Sequence, residues 1–214
     1  GTTLTAVSAG TVKVKYAITG SGCSDDTTVD IIVNGLPAVS FSAPANTCPR
    51  STTTLTGAPT GGTFSVVTAG GGTISGTTYT APATAGTYTL RYDYTDANTC
   101  TNFTTQPITV NSKIGLTAMS FSSSTVCVGS TVTAQSTPTG GTWSVLSGPG
   151  TINASTGIIS PTGSTMIDVR YIHPGVSGTS CPDTVMGSIT PLANPIAIMT
   201  SSSAAMCVNT TRAL

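Results

Sequence analysis

Short runs of alternating apolar and polar residues recur along this chain. In residues 86–95, aromatic and aliphatic side chains hold every second position, at Tyr88, Leu90, Tyr92 and Tyr94. In residues 12–16, valine and tyrosine alternate with lysine in the same way. A period of two places one set of side chains on a buried face and the other in water, which is typical of a β-strand. The turns between such runs contain Gly, Pro and Asn, and this combination predicts a β-sandwich.

The pattern predicts about seven strands in each sandwich unit. For the best-defined unit the predicted strands lie near 38–43, 52–57, 62–67, 72–75, 77–81, 86–95 and 103–110.

The same motifs return after 77 to 81 residues, which identifies an internal repeat. Residues 58–66 match residues 137–145, and both segments carry Pro-Thr-Gly-Gly-Thr followed by an aromatic residue. That aromatic residue is Phe64 in one copy and Trp143 in the other, and we expect each to fill the centre of its own core. The repeat predicts the last part of one unit in 1–34, complete units in 35–111 and 112–191, and the first part of a further unit in 192–214.

Composition supports strands and excludes several classes of function. The chain has 45 threonines and no glutamate, a balance that favours pleated strands over helices. Only 7% of its residues are charged and the net charge is zero, so nothing resembles the basic surface of a nucleic-acid-binding protein. No apolar run is long enough to span a membrane, so no membrane insertion is expected. The first residues look like the middle of a β-domain, and we expect the chain to be a segment of a longer protein.

Six cysteines stand at positions 23, 48, 100, 127, 181 and 207, with gaps that alternate between short and long. The simplest connectivity closes each complete unit on itself, through Cys48–Cys100 and Cys127–Cys181. Each closure would contribute roughly 4 kcal/mol through chain entropy. Such disulfides indicate an oxidising compartment outside the cytoplasm.

Cys23 and Cys207 fall in the two partial units. Their partners are expected in the missing halves, or Cys207 of one copy pairs with Cys23 of the next. Metal binding is the rival interpretation of the cysteines. It is disfavoured because the chain has no Cys-x-x-Cys pair and a single histidine, His173.

The residues do not assemble a catalytic site, so we expect a protein that is not an enzyme and holds no metal or cofactor. Nucleophilic catalysis needs a base beside the nucleophile, and His173 precedes a proline in what is predicted to be an exposed turn. Asp93, Asp96 and Asn98 offer oxygens for calcium, but Ca²⁺ requires six to eight ligands. A turn at Asp96 is the better interpretation.

The repeat resembles the Ig-like/PKD-like repeats of giant surface proteins in Bacteroidota. The resemblance rests on Pro-Thr-Gly-Gly-Thr-Phe in 59–64, Ala-Gly-Thr-Tyr in 85–88 and Tyr-Thr-Asp-Ala-Asn-Thr-Cys in 94–100. It implies tandem Ig-like β-sandwiches of about 80 residues, each with one internal disulfide, and export to the cell surface. It also suggests O-glycosylation at Thr27 and Thr184, because each follows an aspartate in a pattern that resembles the acceptor of that phylum.

These observations favour a structural role in an extracellular fibre, filament or adhesin stalk that associates with itself, because neutral surfaces repel each other weakly. An adhesive or carbohydrate-binding module that recognises surface glycans is the first alternative. It requires exposed aromatic residues, for which Tyr79 and Tyr94 are candidates, although both are expected to pack inward. A spacer in a secreted enzyme is the second alternative.

Overall fold

The computed structural model of the protein describes residues 3–198 and residue 208. Every regular element among those residues is a β-strand, so they contain no helix that could cross a membrane. The chain divides into two compact units. The first extends through Lys113 and includes Val176–Cys181, and the second comprises Ile114–Gly175 and continues from Pro182. The predicted boundaries at residues 35, 112 and 192 remain a prediction.

The described part of the first unit contains eleven strands. They are β1 (Gly10–Thr19), β2 (Ser24–Val33), β3 (Ser40–Ser42), β4 (Asn46–Thr47), β5 (Thr52–Thr54), β6 (Thr56–Ala58), β7 (Thr63–Val66), β8 (Thr73–Ser75), β9 (Thr78–Thr80), β10 (Gly86–Thr95) and β11 (Thr101–Val110). A four-stranded sheet has the order β4-β11-β10-β7, and the opposing strands form the sheets β5-β9-β8 and β3-β6.

The core of the first unit lies between these sheets. Tyr79, Leu90 and Ile108 are fully buried, and Phe64 packs against Tyr92 with ring centroids 4.5 Å apart. The predicted alternation in β10 is confirmed, because Tyr88, Leu90 and Tyr92 are buried while the residues between them are partly exposed. The predicted strand positions agree with the observed ones apart from β4 and the division of 52–57 into β5 and β6.

The second unit contains seven strands in its described part. They are β12 (Ser120–Phe121), β13 (Val132–Gln135), β14 (Thr142–Ser147), β15 (Gly150–Ile152), β16 (Ile158–Pro161), β17 (Ile167–His173) and β18 (Asp183–Ile189). They form two sheets, β14-β17-β18 and β12-β13-β16-β15.

A single cluster of buried side chains fills the second unit. Trp143 lies 4.4 Å from Tyr171 between ring centroids, and Ile159, Ile167 and Val169 are fully buried around them. Paired sheets of short antiparallel strands around one core define an Ig-like β-sandwich. The all-β, Ig-like fold class and the central positions of Phe64 and Trp143 are therefore confirmed.

The hairpin of β1 and β2 differs from its counterpart later in the chain. Its ten residue pairs run from Gly10↔Val33 to Thr19↔Ser24, and those of β10 and β11 run from Gly86↔Val110 to Thr95↔Thr101. The face predicted to be buried is nevertheless open to solvent, since Val12 is 41% exposed and Tyr16 is 67% exposed. The predicted strand alternation is confirmed, but the predicted burial of this face is wrong. Burial would require a second sheet packed across the face.

Candidate functional site

A tyrosine hydroxyl fixes the Gly-Gly turn in each unit. In the first unit, Tyr92 donates to the carbonyl of Pro59 at 2.5 Å and accepts from the backbone N–H of Gly62 at 2.8 Å. In the second unit, Tyr171 donates to the carbonyl of Pro138 at 2.9 Å and accepts from the backbone N–H of Gly141 at 2.7 Å. The repeated motif therefore has a structural purpose, because each buried tyrosine supplies the partners that the turn backbone would otherwise lack.

The second glycine of each pair is required by the close approach of this tyrosine. A Cβ atom on Gly62 would lie 2.3 Å from the carbonyl oxygen of Asp93 and 2.5 Å from the ring of Tyr92. A Cβ atom on Gly141 would meet the carbonyl oxygen of Ile172 at 2.4 Å. The glycines thus serve packing, and they do not form a phosphate-binding loop.

Replacing Tyr92 with phenylalanine is expected to lower the free energy of unfolding by about 1–3 kcal/mol, because it leaves a turn N–H and a carbonyl without their partner. Denaturant unfolding measures this change. Tyr16→Phe is the matched control, since Tyr16 is 67% exposed and its hydroxyl loss should change stability by no more than about 0.5 kcal/mol. Equal effects of the two substitutions would contradict the role given to the Tyr92 hydroxyl.

A shallow groove lies beside the Gly-Gly turn in each unit. The groove of the first unit has a volume of about 320 Å³ and includes Thr60, Phe64 and Tyr92 in its lining. The groove of the second unit has a volume of about 390 Å³, and Trp143 and Tyr171 line it. All four aromatic residues are at most 8% exposed, so neither groove presents a ring on which a sugar can stack.

The two aromatic residues considered for ligand stacking also face inward. Tyr79 is fully buried, and its hydroxyl donates to the carbonyl of Gly71 at 2.8 Å. Burial, with a smaller contribution from Tyr88, raises the pKa of Tyr79 above its usual value. Tyr94 is partly buried against the core of the first unit. The prediction that both pack inward is confirmed.

The structure pairs the cysteines differently from the prediction. Cys48 forms a disulfide with Cys181 across 133 positions of sequence, with a Cα–Cα distance of 5.7 Å. Cys23, Cys100 and Cys127 are free thiols. The predicted disulfides Cys48–Cys100 and Cys127–Cys181 are therefore wrong. Cys207 lies outside the described residues.

The length of β11 explains why Cys48 cannot reach Cys100. Thr47, which precedes Cys48, pairs with Val110 at the end of β11, whereas Cys100 immediately precedes the start of that strand. A strand of ten residues spans about 30 Å. A disulfide requires Cα atoms within about 7 Å, so the first and second cysteine of one repeat lie too far apart to bond.

His173 is not in an exposed turn, as the sequence predicted, but is buried at the end of β17. Its Nδ1 accepts a hydrogen bond from the N–H of Gly175 at 3.0 Å. Its Nε2 therefore carries the proton and donates to the carbonyl of Thr139 at 3.1 Å. The alternation of Val169 and Tyr171 continues to position 173, and this signal could have placed the side chain inside.

The Asp96 carboxylate closes a turn, as predicted. Its Oδ1 accepts from the backbone N–H groups of Asn98 and Cys100, both at 2.9 Å. Asp93 instead forms an ion pair with Arg91. Within residues 3–198 and 208, no three His, Cys, Asp or Glu side chains are grouped so that they could hold a metal ion.

Two surface features concern modification and recognition. Thr27 and Thr184 are both exposed on strands, so their hydroxyls are accessible, and their glycosylation stays a prediction.

An exposed aromatic residue that the sequence does not single out is Phe103. It is 51% exposed, and the guanidinium of Arg91 is stacked 3.8 Å from its ring centroid. The sequence predicts the strand that carries Phe103, but no pattern in the sequence shows that the Arg91 guanidinium stacks on its ring.

No protein-family model matches the sequence, and no characterised protein matches it in a sequence comparison. Solved structures of Ig-like and cadherin domains are similar in fold. A C-terminal 282-residue fragment of intimin, solved with the intimin-binding domain of its translocated receptor, is 11% identical with a TM-score of 0.34, and the match covers 74% of this chain and 64% of the fragment. Cadherin domains 3–6 of protocadherin gamma B2 are 10% identical with a TM-score of 0.27, and the match covers 86% of this chain and 57% of that one.

Murine CEACAM1b is 16% identical with a TM-score of 0.30, and the match covers 73% of this chain and all of that one. The present chain thus spans less than two thirds of the intimin fragment and of the protocadherin. Similarities of this size are too low to identify a shared function.

Proposed function

We propose that this chain is a structural repeat of an extracellular protein and that it associates with itself into a surface fibre, filament or adhesin stalk. The observation that carries the proposal is the Cys48–Cys181 disulfide. It joins the first cysteine of one sequence repeat to the second cysteine of the next. A covalent bond between successive repeats would carry tension from one repeat to the next without extending the residues that it encloses.

The disulfide supports an extracellular location as well as a mechanical role. Disulfides persist in oxidising environments and are rare in the cytosol. Because Cys48 and Cys181 enclose 133 positions, a force applied to the ends of the chain bypasses most of both complete repeats. The tension then acts on the bond and on the segments outside it, while the enclosed sandwiches are protected from extension.

The surface chemistry supports self-association. The net charge is zero, and the ion pairs Lys13–Asp30, Lys15–Asp26 and Arg91–Asp93 are all at least partly exposed. Threonine pairs lie on either side of the Arg91–Asp93 ion pair on the outer face of β10 and β11, and Thr95 and Thr101 are 2.9 Å apart between hydroxyl oxygens. Copies of such a neutral surface repel each other weakly, and their hydroxyls can form hydrogen bonds between molecules.

Sedimentation velocity over a range of concentrations, combined with electron microscopy, tests self-association. We expect species that grow with concentration and fibres of uniform width under oxidising conditions. A single non-associating monomer at the highest concentration would contradict the proposal. Binding to a glycan array without assembly would favour the carbohydrate-binding alternative, for which the structure offers no exposed aromatic platform in the grooves described above.

A further inference from the structure

One arginine lies at the same position on the outer sheet face of each unit. Arg91 and Arg170 each immediately precede the buried tyrosine that fixes the Gly-Gly turn. The neighbouring strand places a serine opposite each arginine, at Ser65 and Ser144. Because successive side chains of a strand project to opposite sides, both arginines point away from the core of their own unit.

An aspartate lies two positions from each arginine along the same strand. Asp93 follows Arg91, and its carboxylate accepts from the arginine Nε at 2.8 Å. Asp168 precedes Arg170, and its carboxylate accepts from the hydroxyl of Ser147 at 2.6 Å. Residues two apart project to the same side of a strand, so each outer surface carries one positive and one negative charge, separated along the strand.

Exposed apolar side chains flank these charges on both neighbouring strands. Val67 and Leu146 each follow a residue that packs against the core, and they are 56% and 45% exposed. On the other side of the arginine, Phe103 is 51% exposed and Met186 is 63% exposed. We define the first outer face by Val67, Arg91, Asp93 and Phe103. The second outer face is defined in the same way by Leu146, Asp168, Arg170 and Met186.

The composition of the two outer faces is that of a protein contact surface. Arginine, methionine and aromatic residues are enriched where proteins meet. The faces are also matched to a partner that carries both signs of charge. A ligand of one sign would be attracted by the arginine and repelled by the aspartate, or the reverse, so an acidic polysaccharide is a poor match for either face.

We propose that copies of this chain associate through the outer faces, each face packing against the same face of a second copy. This inference rests on the self-association proposed above and names its surface. A two-fold axis that lies in the contact plane and crosses the strands reverses the strand direction in the second copy. It therefore brings Asp93 of one copy over Arg91 of the other, and Arg91 over Asp93.

The same operation pairs Asp168 with Arg170 on the second outer face. Each contact thus pairs unlike charges twice, which fixes the orientation of the two copies. The apolar side chains beside the charges lose contact with water in the same step, and their burial favours association. The sparse charges of this chain therefore select the partner, while the apolar side chains around them supply affinity.

Variants that keep one sign of charge on the outer faces test this pairing. Arg91→Gln with Arg170→Gln leaves the aspartates, and Asp93→Asn with Asp168→Asn leaves the arginines. Association is measured by sedimentation velocity with the free thiols alkylated. We expect each variant alone to need roughly tenfold more protein than the wild type to associate, because like charges then meet across the contact. Equimolar mixing of the two variants is expected to restore association near wild-type concentrations.

A variant altered outside the outer faces is the matched control for net charge. Arg50→Gln with Lys113→Gln removes two positive charges at exposed positions, as the arginine variant does. It is expected to associate at wild-type concentrations. The mixing experiment also controls for folding, since mixing would not restore association to a chain that had failed to fold.

Replacing the apolar side chains tests their contribution separately. The strand register shows that position 103 of the first unit corresponds to Thr184 in the second, and that position 186 corresponds to Thr105. Phe103→Thr with Met186→Thr therefore introduces a residue that the equivalent strand already carries. We expect it to weaken association by roughly tenfold. Val176→Thr is the control, because Val176 is 54% exposed but lies outside both faces.

Three outcomes would overturn the proposal, and they differ in what they leave standing. Equal association of the wild type and all variants would remove the outer faces as the contact and leave self-association in place. Charge variants that fail to associate after mixing would show that unlike charges do not pair between copies. A wild type that stays monomeric at the highest concentration would overturn both self-association and the second copy as the partner of these faces.

Discussion

Under force, the oxidised chain is expected to release about 450 Å less contour length than the reduced chain. The Cys48–Cys181 disulfide withholds 133 positions from extension, and an extended residue contributes about 3.4 Å. Single-molecule pulling on the protein, held at both ends with its free thiols alkylated, measures this difference directly.

Two cysteine variants separate this effect from other consequences of reduction. Cys48→Ser in oxidising buffer should extend like the reduced chain, because it lacks the bond. Cys100→Ser should extend like the oxidised chain, because Cys100 is a free thiol. A full-length extension of the oxidised wild type would contradict the mechanical role assigned to the disulfide.

Replacing Trp143 with alanine is expected to lower the free energy of unfolding of the second unit by about 3–5 kcal/mol. Trp143 is 7% exposed, and its ring lies 4.4 Å from that of Tyr171 between centroids. Its removal therefore opens a cavity in the centre of the core. Calorimetry is the suitable measurement, because Trp143 is the single tryptophan and its loss removes the fluorescence signal.

Met186→Ala is the matched control in the same unit. Met186 is 63% exposed on β18, so its truncation should change stability by no more than about 0.5 kcal/mol. Comparable losses in the two variants would show that Trp143 does not organise the core.

The strands and the aromatic centres could be predicted because they depend on local pattern. The alternation that begins at Tyr88 reports a strand with one buried face, and β10 has that form. Phe64 and Trp143 occupy equivalent places in a repeat, and both are buried. The strand follows from residues that are near one another in sequence, and the two central aromatic residues follow from comparing two copies of a motif within the chain. A single sequence is therefore enough to locate both.

The cysteine pairing could not be predicted because it depends on where strands begin and end in space. Each complete unit contains two cysteines, and this number favours a disulfide within each unit. The parallel pairing of β4 with the end of β11 places Cys48 far from Cys100, and no local pattern shows this pairing. The exposed face of the first hairpin has the same origin, since the pattern of Val12 and Tyr16 shows which face is apolar and does not show what lies opposite.

The most direct test of the Cys48–Cys181 pairing is a digest of the native protein, without reduction, by trypsin and the protease Asp-N. We predict that peptide 30–50, which contains Cys48, is linked to peptide 171–182, which contains Cys181. Peptide 30–50 linked to peptide 96–113 would instead show that the first complete repeat closes on itself, and it would contradict the coupling of successive repeats.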